Sequence, residues 1–197
     1  MARAKAFDET RAIDAAVDCF WLRGYEATSV RDLADAMGIG GASLYNAYGD
    51  KRTLFVRSLE RYANRSMRGR IERLEAGHEP KEAIRAFFAS IVDRSLKDPD
   101  RKGCLLVNSA LDVAPHDAAI GKVVGGYLDE IRAFFRRNIA AAQAASQAPK
   151  TIDADEVSGH MLGVLLGLRV LARTGARRKL LEAAVRPALA LLDQRKE

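Results

Sequence analysis

Residues 30–47 read Val30-Arg31-Asp32-Leu33-Ala34-Asp35-Ala36-Met37-Gly38-Ile39-Gly40-Gly41-Ala42-Ser43-Leu44-Tyr45-Asn46-Ala47. Two short helices that meet through a tight turn need one residue in left-handed backbone, and glycine adopts it without steric cost. Gly38 fills that place. Ala34, four residues earlier, leaves room for the second helix. Leu33, Leu44 and Ala47 anchor the pair, and Ile39 plugs the turn. Ser29, with Asp32 three residues on, reads as a capping box that opens the first helix. The outward positions left on the second helix are Gly41, Ala42, Ser43 and Asn46. They are small or amide-bearing, as a helix entering a DNA major groove about 12 Å wide requires. A plain helical hairpin in a core carries the same apolar pattern, so the stretch by itself leaves both readings open.

Outward from this stretch the chain keeps a helical period. Leu, Ala, Arg and Glu dominate, Pro is rare at 5 residues, and alternating β-branched runs are absent. Ile13, Ala16, Val17 and Phe20 repeat on one face before Gly24. A helix is expected from Lys51 toward Leu74. Gly77-His78-Glu79-Pro80 is the clearest break, with Pro80 suited to the first turn of the next helix. Further helices are expected over about 103–113, 117–145, 153–174 and 177–195. Ala140–Ala148 is alanine-rich and expected to fray. The spacing predicts an all-α chain with a domain boundary at Gly77–Pro80.

The 197 residues carry 32 Lys+Arg against 26 Asp+Glu, a net charge of +6. Residues 1–73 hold +3 of it, so bulk charge marks no nucleic-acid face. The arginines from Arg57 to Arg73 read as a solvated face. Two cysteines, Cys19 and Cys104, exclude a disulfide framework and a Cys-cluster zinc site. The start, MARAKAFDET, lacks an apolar signal region. The run Met161–Leu168 is far short of the roughly 20 residues that cross a bilayer. A soluble, cytoplasmic protein without a membrane role is expected. Three histidines, no H-E-x-x-H, no P-loop and no dinucleotide glycine motif argue against an enzyme, a metal centre or a cofactor.

Gly24-Tyr25-Glu26-Ala27-Thr28-Ser29-Val30-Arg31-Asp32-Leu33-Ala34, Gly38-Ile39, Ser43-Leu44-Tyr45-Asn46-Ala47-Tyr48-Gly49-Asp50-Lys51 and Leu54-Phe55 together resemble the TetR family of transcriptional repressors. The resemblance covers about residues 7–62 and thins beyond residue 80. It implies a three-helix helix-turn-helix DNA-reading domain over 1–50, a linking helix over 51–79 and a helical ligand-binding and dimerisation domain over 80–197, in a homodimer that binds a pseudo-palindromic double-stranded operator and releases it when a small molecule enters the C-terminal domain. It places Tyr45 and Lys51 on phosphates, with Thr28 and Ser29 at a second phosphate contact. Gly41, Ala42, Ser43 and Asn46 then face the groove, and Asn46 is the candidate for reading adenine. Gly40-Gly41 departs from the family's usual hydroxyl-plus-basic pair. That departure predicts fewer side-chain contacts at the helix start and a closer backbone approach to DNA.

In the C-terminal part, Gly159, Gly163 and Gly167 recur every four residues and share one helix face. Each costs about 1 kcal/mol against Ala in a helix, which close approach of another helix would offset. Leu181, Val185 and Leu192 form the expected partner stripe, with Ala188 between them, and Pro187 is expected to bend that helix. The same feature serves packing within one subunit. Candidate effector-pocket walls are Phe87, Phe88, Leu105, Asn108, Tyr127, Phe134 and His160. Cys104 follows Arg101-Lys102-Gly103 at a helix start, a setting that favours thiolates in general, so it is the candidate redox or electrophile sensor.

Overall fold

The structure is a computed structural model that describes residues 8–193, and every regular element among them is helical. In order these are α1 (Glu9–Arg23), α2 (Val30–Met37), α3 (Gly41–Tyr48), α4 (Lys51–Ala63), a π turn (Asn64–Arg68), α5 (Gly69–Gly77), α6 (Pro80–Leu96), α7 (Leu105–Asp112), α8 (Ala118–Ala144), α9 (Ala154–Arg173) and α10 (Arg178–Ala190). The last helix, expected to reach Arg195, ends at Ala190 and is followed by a turn over 191–193, and positions 194 and 195 lie outside the described residues. The helix expected from Lys51 toward Leu74 is interrupted by the π turn. No residue type marks such a turn, because its wider i→i+5 pairing depends on packing around the helix.

The chain forms two compact units, Met1–Ser66 with Cys104–Val124, and Met67–Gly103 with Gly125–Glu197. The break read at Gly77–Pro80 separates α5 from α6, with Pro80 at the helix start, but it falls inside the second unit. Helix α7 belongs with the first.

In the first unit, α1 packs on α2 and α4, α3 on α2 and α4, and α7 on α4. Phe20, Leu33, Leu44, Leu54, Phe55 and Leu59 are all at or below 1 % exposure. Burying each such side chain contributes about 1.5–3 kcal/mol, which is what holds three short helices together. The Phe20 and Phe55 rings meet edge to face at 4.9 Å. Arg61 pairs bidentately with Asp14 at 2.8 Å, and Arg65 reaches Asp14 at 3.2 Å. Arg52 grips Asp117 through both guanidinium nitrogens. In the second unit Arg68 grips Glu130 in the same way, and Arg70 is buried. Within the run Arg57–Arg73, then, Arg61, Arg65 and Arg68 hold carboxylates and Arg70 is buried, while Arg57, Arg65 and Arg73 are exposed, so only part of the run is withdrawn from the solvated face expected of it.

The second unit is built on α6, α8, α9 and α10. Phe87, Phe88, Phe134 and Phe135 form its centre, with Phe88 and Phe135 stacked at 5.4 Å. The alanine-rich end of α8 does not fray. Ala142 and Ala148 are buried, and the Gln143 amide donates to the Pro149 and Ile152 carbonyls at 2.9 and 2.8 Å. One side chain thus ties down the middle and the far end of the turn that leads to α9. No helix among the described residues is long and apolar enough to cross a membrane.

Candidate nucleic-acid interface

The interface is a hairpin whose every joint is fixed locally. Ser29 accepts from the Asp32 backbone N–H at 3.1 Å, and the Asp32 carboxylate accepts from the Ser29 backbone N–H at 2.9 Å. The Ser29 hydroxyl and Arg23 donate to the same carboxylate. These donors hold the Asp32 carboxyl down at about 2, the Ser29 hydrogen bonds being the main cause. Gly38 lies at φ 65°, ψ 33°. The Gly38 N–H reaches the Asp35 carbonyl and the Ile39 N–H the Ala34 carbonyl, which closes α2 by the Schellman pattern. Leu33, Ala34, Met37, Leu44 and Tyr48 face inward and are buried.

The other side of α3 is open. Gly41, Ala42, Ser43, Tyr45 and Asn46 are all exposed, Tyr45 at 53 %. Gly40 and Gly41 have ordinary helix-start backbone, and a Cβ at either would meet nothing within 4 Å. Nothing among the described residues requires glycine at these two positions. The N-terminus of α4 beside this face is capped by Asp50, whose side chain accepts from the Thr53 N–H. Lys51, its first residue, places Nζ 4.4 Å from the centre of the Tyr25 ring and donates to the Glu26 carbonyl at 3.4 Å. A cation at the positive end of a helix is disfavoured by the dipole, and the aromatic face and carbonyl offset that. Tyr25 is thus a positioning residue, visible from the sequence only as one member of the family-like stretch. Arg57 is a second, donating to the Ala47 carbonyl at the end of α3 and lying over the Tyr48 ring.

A rigid hairpin with a small, uncovered outer face, buttressed by a lysine at the next helix start, is the arrangement of a helix-turn-helix reader. The sequence profile described as "Bacterial regulatory proteins, tetR family" matches residues 12–57, and "Tetracyclin repressor-like, C-terminal domain" matches residues 80–188. This chain belongs to the TetR family. The uncharacterized HTH-type transcriptional regulator YezE of Bacillus subtilis (strain 168) is 32 % identical over 195 residues, 98 % of this chain and 100 % of that protein. The HTH-type transcriptional repressor ComR of Escherichia coli (strain K12) is 28 % identical over 183 residues, 88 % of this chain and 83 % of its own. Among solved structures, a cysteine mutant of the TetR family transcriptional regulator CifR, complexed with 26-base-pair double-strand operator DNA, has a TM-score of 0.85 at 32 % identity. That match covers 95 % of this chain and 98 % of the CifR chain. The chain is a TetR-family DNA-binding transcriptional regulator.

Set against the TetR-family expectations, the reader residues divide. Ser29, Gly41, Ala42, Ser43, Tyr45 and Asn46 share the open side of the hairpin region, and Lys51 sits half-buried at its edge. Thr28 does not join them. It is fully buried, and its hydroxyl donates to the Gly24 carbonyl at 2.6 Å, so the side chain serves the turn after α1 and is withdrawn from any phosphate.

The second unit brings two further corrections. Leu181, Val185 and Leu192 are at most 4 % exposed within this single chain, so that stripe is already spent on the unit's own core and is not free for a partner. Gly163 and Gly167 are exposed, and a methyl group at either would meet nothing within 4 Å, whereas one at Gly159 would lie 3.9 Å from the Arg132 side chain. His160 is exposed on the same helix. Of the remaining pocket candidates, Phe87 and Phe134 pack on each other at 5.3 Å, and the Tyr127 ring lies under the Arg68 guanidinium. Leu105 is buried and Asn108 half-buried on α7, in the first unit. Cys104 is the half-buried N-cap residue of α7, and the Tyr62 hydroxyl lies 3.6 Å from its sulfur. Cys19 is also half-buried, and loss of solvent pushes its thiol up.

Proposed function

We propose that this chain is a cytoplasmic homodimeric repressor that holds a pseudo-palindromic operator and lets it go when a small molecule binds its C-terminal part. The observation that carries the DNA half of the reading is the uncovered face of α3. Tyr45 and Lys51 take phosphates, Asn46 reads a base edge, and Gly41 lets the α3 backbone come close. Two such helices must be presented about 34–36 Å apart to occupy successive major grooves. The open α9 face at Gly163 and Gly167 supports pairing through the last two helices, as does the exposure of Val170 and Leu180 at 45 % and 51 %. Small-molecule release follows from the family's way of working, since a ligand that favours one spacing shifts the population away from the other.

Selection of bound duplexes from a random pool, followed by a salt titration of the winner, tests the reading. A palindromic consensus and an affinity that falls steeply with salt are expected. Salt-independent binding, or no enriched sequence, overturns it.

A second reading assigns the release signal to Cys104. The specific support is the Tyr62 hydroxyl 3.6 Å from a half-buried sulfur at a helix start, together with the use of cysteine mutants for operator-bound CifR. Treating the operator complex with a mild oxidant or an electrophile should release DNA from the wild type and not from Cys104→Ser. Equal release from both removes this reading and leaves the ligand-driven one standing.

A further inference from the structure

Helices α6 and α10 of the second unit leave a slot between them, apart from the open glycine face of α9. Its volume is about 350 Å³, at the small end of ligand-sized sites. Phe88, Val92, Val185 and Leu189 supply an apolar floor, and Ala89 stands exposed on the α6 side. Charged pairs that bridge the two elements stand on its rim. Arg178 of α10 donates to Asp93 of α6 at 2.8 Å and to Glu182 at 3.2 Å. Arg85 of α6 grips both oxygens of Asp193, which also receives Lys81 at 2.6 Å.

The pairing around the rim decides the chemistry. Each of its carboxylates, Asp93, Glu182 and Asp193, already carries a cation. Arg186 also lines the slot, and among the described residues it has no carboxylate or other polar partner. A ligand cation would find no free carboxylate here. A neutral apolar ligand would leave the arginine unused. An apolar body ending in one carboxylate meets both features, because a guanidinium presents a planar fork that matches a carboxylate in two hydrogen bonds.

We propose that this slot binds a small amphipathic monocarboxylate, with the apolar tail on Phe88, Val92, Val185 and Leu189 and the head on Arg186. The proposal does not depend on operator binding or on the identity of the releasing signal.

Calorimetric titration of the full chain with octanoate tests it, using Arg186→Gln and Ala89→Trp. Arg186→Gln removes the head contact at an exposed position, and Ala89→Trp fills the slot from its exposed wall. The expected result is saturable octanoate binding to the wild type, weakened at least tenfold by Arg186→Gln and abolished by Ala89→Trp. Thermal unfolding of both variants should match the wild type. Octanol, which keeps the tail and lacks the charge, should bind the wild type at least tenfold more weakly than octanoate and should not discriminate wild type from Arg186→Gln. No octanoate binding to the wild type overturns the proposal. So does octanoate binding that survives both substitutions, because the ligand then sits elsewhere.

Discussion

Gly38 and Gly163 are both glycines of helical segments, and they are there for opposite reasons. Gly38 has left-handed backbone, and the end of α2 is built around it. Gly163 sits in the middle of α9 with ordinary helical backbone and open space where a side chain would stand. The first glycine serves the chain that contains it. The second weakens its own helix, and no neighbour among the described residues accounts for it. Gly41 on the open side of α3 is of the second kind. Under the function proposed above, DNA would fill the space at Gly41 and a second copy of the chain the space at Gly163.

That contrast can be broken by substitution. The largest effect is expected inside the reader, where Leu44→Ala empties a fully buried site and should cost about 2–5 kcal/mol in denaturant unfolding, with loss of operator binding. Gly38→Ala comes next, at about 1–2 kcal/mol, because an L side chain is forced into left-handed backbone. Gly163→Leu should act in the other direction on the chain itself, raising helix stability by up to about 1 kcal/mol, while sizing columns show a shift from dimer to monomer. A destabilised chain, or an unchanged dimer, erases the distinction between the two glycines. Lys51→Gln is milder still. Thermal unfolding should hardly move, and the salt dependence of operator affinity should fall by about one phosphate contact.

The smallest effect concerns the cap of α2. The Asp32 carboxyl sits at about 2 in the folded chain against an ordinary value of 3.8. A depressed carboxyl stabilises the fold in its charged form, so the contribution is complete above the ordinary value and disappears as pH falls through about 2. The melting difference between wild type and Asp32→Asn should therefore be constant at neutral pH and close between about pH 4 and pH 2. A difference that stays constant over that window assigns the role of Asp32 to something other than its charge.

The reader was legible because its determinants are close in sequence. Ser29 and Asp32, or Ala34 and Gly38, lie within a turn of each other, so spacing alone fixes the geometry. What was missed there depends on which way a side chain turns and on contacts across longer separations. Thr28 turns inward to a carbonyl four residues back, and Lys51 leans on Tyr25. In the second unit the helices were legible and their faces were not. The stripe Leu181, Val185 and Leu192 has the period of a buried face, but periodicity does not say whether the cover comes from the same chain or another copy. The π turn escaped for the same reason, since its residues are ordinary helix formers and the arginines around it find their carboxylates far along the chain.

The amide of Gln143 has a practical consequence for anyone labelling this protein. The stretch 145–152, polar and at the junction of two helices, is where a fluorophore or an affinity tag would ordinarily be inserted. Its middle, at Pro149, and its far end, at Ile152, hang on one nitrogen near the end of α8. An insertion between Pro149 and Ile152 would pull those two carbonyls apart and cost one tether, so a reporter belongs at another turn.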